Sequence, residues 1–407
     1  MSDLELQTTN YAYGGSVVAH DDNGRPIFVQ GALPGETVRA ALTVDKDRFA
    51  HAYVVEVIEA SSERISPRCP HYGPCGGCHY QHVAYEEQLR AKQLVVQDQL
   101  QRIGGLKDVH ILPVLPSPEP WEYAQEAAFS PTAVGNLGYW SPRQREVMPI
   151  ESCPITRPRI MTLFNDVDLD LPQLRKLTLR LDSEEEMLAA LEVQDVEAPQ
   201  LETDFPVSVA IVLPDKTAAS LIGDHYLLYE IKDRSFRVSP GCFFHPNLDV
   251  AKKLVDTVLD FAALTGSEQV LELYSGIGLL TAFLAEGAFE VTAVEVNSDA
   301  VADLVVNLDH LDNVSLFQGL VEEVLPSIES RPDLLVVDPG RTGLARPVTA
   351  QIQSLAPQRL VYVGSDLARM ARDSRALTDA GFTLVKVQPL DMRPQTFHID
   401  TVSLWLK

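Results

Sequence analysis

Five cysteines carry the most nucleophilic side chains of this 407-residue chain, and four of them are spaced as if for one task. Cys69, Cys75 and Cys78 form C-x5-C-x2-C inside Arg68-Cys-Pro-His-Tyr-Gly-Pro-Cys-Gly-Gly-Cys78, and Cys153 follows far downstream in Ser152-Cys-Pro154. Inside a cell a disulfide is disfavoured, and a C-x2-C interrupted only by glycines points to a metal. Zinc would take four thiolates in a tetrahedron. An iron–sulfur cube also takes four, commonly three close in sequence and one distant. The spacing leaves both open. The fifth, Cys242, reads as a small buried apolar thiol rather than a nucleophile.

A second constellation lies further on. Val270-Leu-Glu-Leu-Tyr-Ser-Gly-Ile-Gly278 reads as a strand entering a glycine turn and then a helix, so backbone can approach a ligand at the carboxyl edge of a sheet. Glu295 closes the next strand, where a carboxylate can accept from ribose hydroxyls, and Asp338 closes another in Val336-Val-Asp-Pro-Gly-Arg341. Leu280 and Thr281 follow Leu279, so the third glycine of a dinucleotide fingerprint is missing, which favours S-adenosylmethionine over NAD. Glu272, Tyr274, Gly276, Gly278, Glu295 and Asp338 are the candidate cofactor-binding residues.

Three regions must position these groups. Residues 1–58 alternate apolar and polar residues between turns such as Tyr13-Gly14-Gly15 and Leu33-Pro34-Gly35, the pattern of a small OB-like β-barrel. Residues 59–235 are mixed α+β, with the cysteines, a helical run from Tyr85 to about Ile103 and a second strand-rich stretch. From 236 to 407, short apolar strands alternate with helical periods, which predicts a doubly wound parallel sheet, an α/β Rossmann-like domain. Strands are expected at 270–273, 290–294, 334–337, 359–363 and 383–388. With 57 acidic against 33 basic side chains the net charge is −24, which gives nucleic-acid binding no support. Nine acids (Asp182, Glu184, Glu185, Glu186, Glu192, Asp195, Glu197, Glu202 and Asp204) read as a solvated surface element. No membrane span or signal peptide is evident, so a cytoplasmic monomer is expected.

The run Gly31-Ala-Leu-Pro-Gly-Glu36, then Cys69…Cys75-Gly-Gly-Cys78, then Tyr80-Gln81-His82…Tyr85…Gln88-Leu89…Lys92 resembles the bacterial RNA uracil-C5 methyltransferases across nearly the whole chain. The resemblance implies a TRAM barrel over residues 1–58, a central domain whose four cysteines hold a 4Fe–4S cluster, and a class I methyltransferase domain using S-adenosylmethionine on ribosomal or transfer RNA. In that family a cysteine thiolate adds to uracil C6, C5 takes the methyl group, and a carboxylate then removes the C5 proton.

The chemistry-bearing motifs depart from the family. Its Y-V-S-C-N-P motif is Tyr362-Val-Gly-Ser-Asp-Leu367 here, so Ser365 occupies the nucleophile's place, with Asp366 as the one nearby base. Asp391-Met-Arg-Pro-Gln-Thr-Phe-His-Ile-Asp400 resembles D-M-F-P-x-T-x-H-x-E, with Asp400 at the base position and His398 retained. Phe243-Phe244-His245-Pro-Asn247 has His245 where the family's Gln contacts uracil. Tyr123-Ala-Gln-Glu126 replaces a basic Y-R-N-K, Leu320 replaces an acid expected at the adenine, and Gly340 replaces a proline of D-P-P-R. Two functions are therefore weighed: an RNA methyltransferase, or a family member that lost catalysis and binds RNA or protein.

Overall fold

A computed structural model of the chain describes residues 3–169, 171–195, 203–214, 217–328 and 331–407. Strands β1 (Leu4–Ala12), β2 (Ser16–His20), β3 (Pro26–Gln30), β4 (Thr37–Lys46) and β5 (Phe49–Glu59) close into a barrel in the order β1-β2-β3-β5-β4. Only β3 and β5 run parallel. Alternate residues such as Leu6, Val17, Ile27, Val29 and Val38 fill the interior, as period-two patterning requires. The β1–β2 turn rests on the rest of the protein. At Gly15 (φ +82°) a Cβ would lie 2.9 Å from the His79 Cβ, so only glycine lets the turn come this close.

Helix α1 (Tyr85–Arg102) follows, with Glu86 and Glu87 in its first turn and Arg102 in its last, as the helix dipole favours. Beyond it, β6 (Glu126–Pro131), β7 (Leu137–Ser141), β8 (Glu146–Pro149), helix α2 (Pro158–Asp166), β9 (Leu174–Leu181), β10 (Met187–Val193), β11 (Val207–Val212) and β12 (Ala218–Ile222) build a second unit. Its sheet runs β12-β11-β10-β9-β6-β7-β8, and α2 packs Ile160, Leu163 and Phe164 against it. Phe129 stacks on both Tyr139 and Phe164, with centroids 5.1 and 4.1 Å away.

The acidic run is not uniformly solvated. Asp182 is buried, and its Oδ1 accepts from the Glu184 and Glu186 amides at 2.9 and 2.8 Å, closing the β9–β10 turn. Glu185 pairs with Arg157 and Arg159, and Glu192 with Lys176. Glu197 and Glu202 lie outside the described residues.

The hairpin β13 (Leu227–Ile231) and β14 (Arg234–Val238) buries Tyr229, Ile231 and Phe236 in the same core as α3 (Leu248–Ala262). Then come β15 (Gln269–Leu273), α4 (Leu279–Gly287), β16 (Glu290–Glu295), α5 (Ser298–Asn307), β17 (Val314–Gln318), α6 (Val321–Val324), β18 (Leu334–Val337), α7 (Arg346–Leu355), β19 (Arg359–Gly364), α8 (Leu367–Asp379), β20 (Thr383–Leu390) and β21 (Asp400–Leu406). The third sheet runs β17-β16-β15-β18-β19-β21-β20. It is not wholly parallel, as the sequence had suggested. β21 turns back after β20 and inserts antiparallel between β19 and β20. A return connection without a helix permits only that direction. No helix among the described residues is long and apolar enough to cross a membrane.

One buried polar knot fixes the loop between β20 and β21. The Lys92 ammonium, from α1, pairs with Asp391, and both side chains are almost fully buried. Lys92 also donates to the Arg393 carbonyl at 3.1 Å, and the Tyr85 hydroxyl donates to Asp391 Oδ2 at 2.9 Å. Gln88 and Gln395 bond reciprocally: each bond, Nε2 to Oε1 and Gln395 N–H to Gln88 Oε1, is 3.0 Å. The His79 and Tyr80 amides donate to the Gln395 carbonyl, at 2.8 and 2.9 Å. Removing one partner strands a charge in a dry interior. Lys92→Met is therefore expected to cost about 3–5 kcal/mol in denaturant unfolding. Lys92→Met with Asp391→Leu should recover part of that loss, because the orphaned carboxylate goes as well.

Candidate active site

The carboxyl ends of β15, β16, β18 and β19 and the start of β21 open onto one cavity of about 720 Å³. Glu272, Tyr274, Gly276, Glu295, Asp338, His245, Ser365 and Asp400 all line it. Gly278 does not. It caps α4 at φ +86°, where a Cβ would lie 3.0 Å from Leu304 and 3.2 Å from Leu308, so it lets α5 pack on the turn. Tyr274 holds φ +64°, a left-handed conformation that costs a non-glycine residue energy, and it shapes the turn that faces the cavity.

Each lining group is held by its neighbours. Glu295 accepts from the amides of Gly276 (2.9 Å), Val296 (2.8 Å) and Asn297 (2.7 Å), so its carboxylate is aimed by backbone. The Asp338–Arg341 loop is anchored further on, where the Asp373 carboxylate takes the Leu344 amide at 2.7 Å and the Tyr362 hydroxyl at 2.9 Å. Arg180 reaches the carbonyls of Ser239 (3.1 Å) and Cys242 (2.9 Å) and so fixes the loop leading to His245. The same guanidinium holds Glu126 at 2.6 Å, at the cavity wall. Asn247 is structural: its side chain caps α3 through the Val250 amide.

The side chains facing the cavity are short of partners. Glu272 Oε2, Ser275 Oγ, His245 Nδ1, Asp400 Oδ1 and Arg393 Nη1 are buried without a hydrogen bond. Arg393 and Asp400 stand 3.5 Å apart as an ion pair. Burial lowers His245 to about 4, helped by Arg393, so the imidazole is neutral. Burial raises Asp400, opposed by Arg393, Lys92 and Arg341. Among the described residues nothing hydrogen-bonds the Ser365 hydroxyl. Asp366 is turned away from it: its carboxylate caps α8 through the Arg369 amide at 2.9 Å and accepts from the barrel's Tyr13 hydroxyl at 3.3 Å. Cys242 also lines the cavity, but burial and a hydrogen bond to Asp303 keep its thiol protonated.

Several residues lie elsewhere. His398 is outside the cavity wall and packs against Phe397 at 4.2 Å, its proton affinity lowered to about 3 by burial and nearby cations. Leu320 is outside it too, 43% exposed at the N-terminus of α6. Arg393 and Arg341 line the cavity without having been singled out as site residues. The signal for Arg393 was its place in Asp391-Met-Arg393, where the resembled motif has an aromatic residue.

Cys69, Cys75, Cys78 and Cys153 line a separate cavity of about 350 Å³ between the 69–78 loop, β6 and the segment before α2. Burial pushes Cys78 up to about 12, and the charges of Cys153, Cys75 and Cys69 add to it, which marks the four as neighbours. Among the described residues no three His, Cys, Asp or Glu side chains gather tightly enough for a bare metal ion. A zinc site would hold its sulfurs about 3.8 Å apart, from Zn–S bonds of about 2.3 Å. At Gly76 (φ +71°) a Cβ would meet Pro142 at 2.5 Å, so the loop is pressed onto the β7–β8 turn.

Comparison with known proteins matches residues 6–55 to the TRAM domain and residues 221–334 to the tRNA (Uracil-5-)-methyltransferase family. An uncharacterized RNA methyltransferase of Halalkalibacterium halodurans is 32% identical, over 98% of this chain and 96% of its own. One of Streptomyces avermitilis is 31% identical, over 99% and 98%. The fold of the Pyrococcus abyssi tRNA (uracil-54, C5)-methyltransferase, in complex with S-adenosyl-L-homocysteine, superposes with a TM-score of 0.73 over 99% of both chains, at 22% identity.

The buried carboxyls give the cavity a thermodynamic signature. Burial, with Asp338 and Glu295 nearby, raises Glu272 from 4.5 to about 8. Burial and Asp400 raise Asp338 from 3.8 to about 7. Between the unfolded and folded values the folded chain holds more protons than the unfolded one, so stability falls as pH rises through this window. Glu272→Gln is expected to flatten the decline of Tm between about pH 5 and pH 8, as read by calorimetry across that range.

Proposed function

The chain belongs to the RNA methyltransferase family of these bacterial relatives, and on that premise we propose that its large cavity takes S-adenosylmethionine and that a base of ribosomal or transfer RNA enters at the Ser365–Asp400 end. The observation that carries this reading is the convergence on one cavity of the glycine turn after β15, Glu295 at the end of β16 and Asp338 at the end of β18. Bound there, the donor supplies a methyl group on a cationic sulfur. Glu295 is aimed to accept from its ribose hydroxyls: Oε1 takes both the Val296 and Asn297 amides, whereas Oε2 takes only the Gly276 amide and keeps a free lone pair. Gly276 lets backbone approach the ligand, and Glu272 and Asp338 offer carboxyls toward the cationic centre. Arg393 and Arg341 sit beside Asp400 and favour its ionised form. The barrel, tied to α8 through Tyr13 and Asp366, is the RNA-binding element.

The cysteines are proposed to hold a 4Fe–4S cluster. An all-thiol donor set around one cavity, with three ligands close in sequence and one distant, supports this reading. Bound, it would cross-link the 69–78 loop to the segment carrying Cys153.

Two outcomes are expected. Label from methyl-labelled S-adenosylmethionine should enter RNA from cells lacking the gene, and Glu295→Gln should raise the donor KM by about tenfold or more, the loss of a charged hydrogen bond. A protein that binds RNA but transfers no label would instead be a scaffold without catalysis. Anaerobically purified protein should contain about four iron and four sulfide per chain, and Cys78→Ser should lose them. Zinc in their place would overturn the cluster.

A further inference from the structure

We infer that the outer face of β3 and β5, carrying Phe28, Phe49, His51 and Tyr53, is a stacking platform for the bases of an unpaired stretch of the RNA substrate. This rests on the reading of the barrel as the RNA-binding element above, and names the face it uses and the form of RNA it takes.

The strand pattern puts the rings outside. On β5, Ala50 and Ala52 point inward and are buried in the barrel core. Phe49, His51, Tyr53 and Val55 therefore share the opposite face, because side chains alternate along a strand. Phe28 joins them from β3, where it pairs with His51 in a parallel register. Val44 joins from β4, also opposite His51. Phe49 is 37% exposed and Val55 51%. Single exposed apolar side chains are ordinary, but a contiguous group rimmed by polar residues marks a binding surface.

The rings pack on one another with their outer faces free for a ligand. Phe28 stacks on His51 with centroids 5.4 Å apart, and Phe49 meets His51 edge-on at 5.4 Å and Phe28 at 6.4 Å. Outward neighbours on β5 recur about every 6.6 Å, roughly twice the 3.4 Å advance of a duplex strand. A duplex also hides its base faces in its own stack. Side chains so spaced can therefore meet successive bases only where the strand is single and unstacked.

The chain as a whole carries a charge of −24, so phosphates must find cations locally. Two other barrel arginines are already taken, Arg25 by Asp21 and Asp45 and Arg39 by Glu56. Arg48, in the turn before Phe49, and Arg143, in the β7–β8 turn, have no carboxylate partner among the described residues. Arg143 lies over the Tyr53 ring, 4.0 Å from its centroid, so one cation stands at each end of the stripe. The Ser141 hydroxyl donates to the Pro74 carbonyl at 2.7 Å and holds that turn against the cysteine-bearing loop. An apolar protein partner has no use for an unpaired guanidinium at both ends.

The test titrates full-length, anaerobically purified protein into a labelled oligouridine of about 12 nucleotides, within the site size of one such barrel, and reads anisotropy. Binding is expected, and hybridising the oligouridine to oligoadenosine should abolish it. Phe49→Leu keeps apolar bulk but loses the ring, and should weaken binding about fivefold or more. Arg143→Ala should lower the slope of log affinity against log salt by about 0.7, the share of one phosphate. Phe49→Trp should retain affinity, and oligouridine should quench its fluorescence beyond the wild-type background of three tryptophans. Equal affinity of Phe49→Leu and wild type, no added quenching in Phe49→Trp, or no binding of oligouridine at all would each overturn the inference. So would a smaller assembly of Phe49→Leu on size exclusion, which would assign the face to a second copy of the chain. S-adenosylmethionine titrated into the same wild-type preparation reads the methyltransferase proposal separately, so the platform can fail while the donor still binds.

Discussion

The buried Lys92–Asp391 pair is the constraint on which the arrangement of the site depends. An ammonium and a carboxylate removed from water are tolerable only when each is fully partnered. Tyr85 and the Arg393 carbonyl complete that partnership here. The consequence reaches well beyond the pair. Because α1 supplies the cation and residues 391–396 supply the anion, a helix early in the chain fixes the loop that presents Arg393 and, at its far end, Asp400. The reciprocal Gln88–Gln395 bonds make the same connection in neutral form. The barrel joins the assembly at two more points, through Tyr11 on Glu87 and Tyr13 on Asp366. Three parts of the chain thus share one polar seam, and the seam runs beside the Asp400 end of the cavity.

The cavity itself is an electrostatic compromise. Glu272, Asp338 and Asp400 are buried at the edge of one sheet, where Asp400 raises the cost of ionising Asp338 and Asp338 that of ionising Glu272. Such a cluster works against the fold when the cavity is empty and favours a cationic or proton-donating ligand when it is filled. A sulfonium cofactor is a ligand of the first kind. The charges of Arg393, Lys92 and Arg341 act on Asp400 and oppose the rise that burial imposes on it.

Much of the fold was legible because its elements carry strong periodicity. The barrel strands alternate, the β15, β16 and β18 segments are short apolar runs, and α1 begins where Tyr85 follows a turn. β21 was hidden: Thr401-Val-Ser-Leu-Trp-Leu406 is a clear strand, yet it follows its neighbour without a helix, and no local pattern reveals where in a sheet such a strand inserts. Asp182 was misread for a related reason. Charge composition describes a segment, whereas its burial depends on two turn amides and on β13 lying across it. Spacing could nominate the groups around the cavity, since strand ends and glycine turns fall at one sheet edge by topology. It could not show that Asp366 faces a helix terminus rather than Ser365, or that Arg393 stands 3.5 Å from Asp400, because both depend on contacts between residues from distant parts of the fold.

The most direct measurement of the central claim is a calorimetric titration of S-adenosylmethionine into anaerobically purified, folded protein. The account predicts micromolar binding of one molecule per chain, weakened when Glu295 or Glu272 loses its carboxyl group. Absence of binding in protein that is folded would contradict it, and would mean that the carboxylate-lined cavity no longer serves a methyl donor.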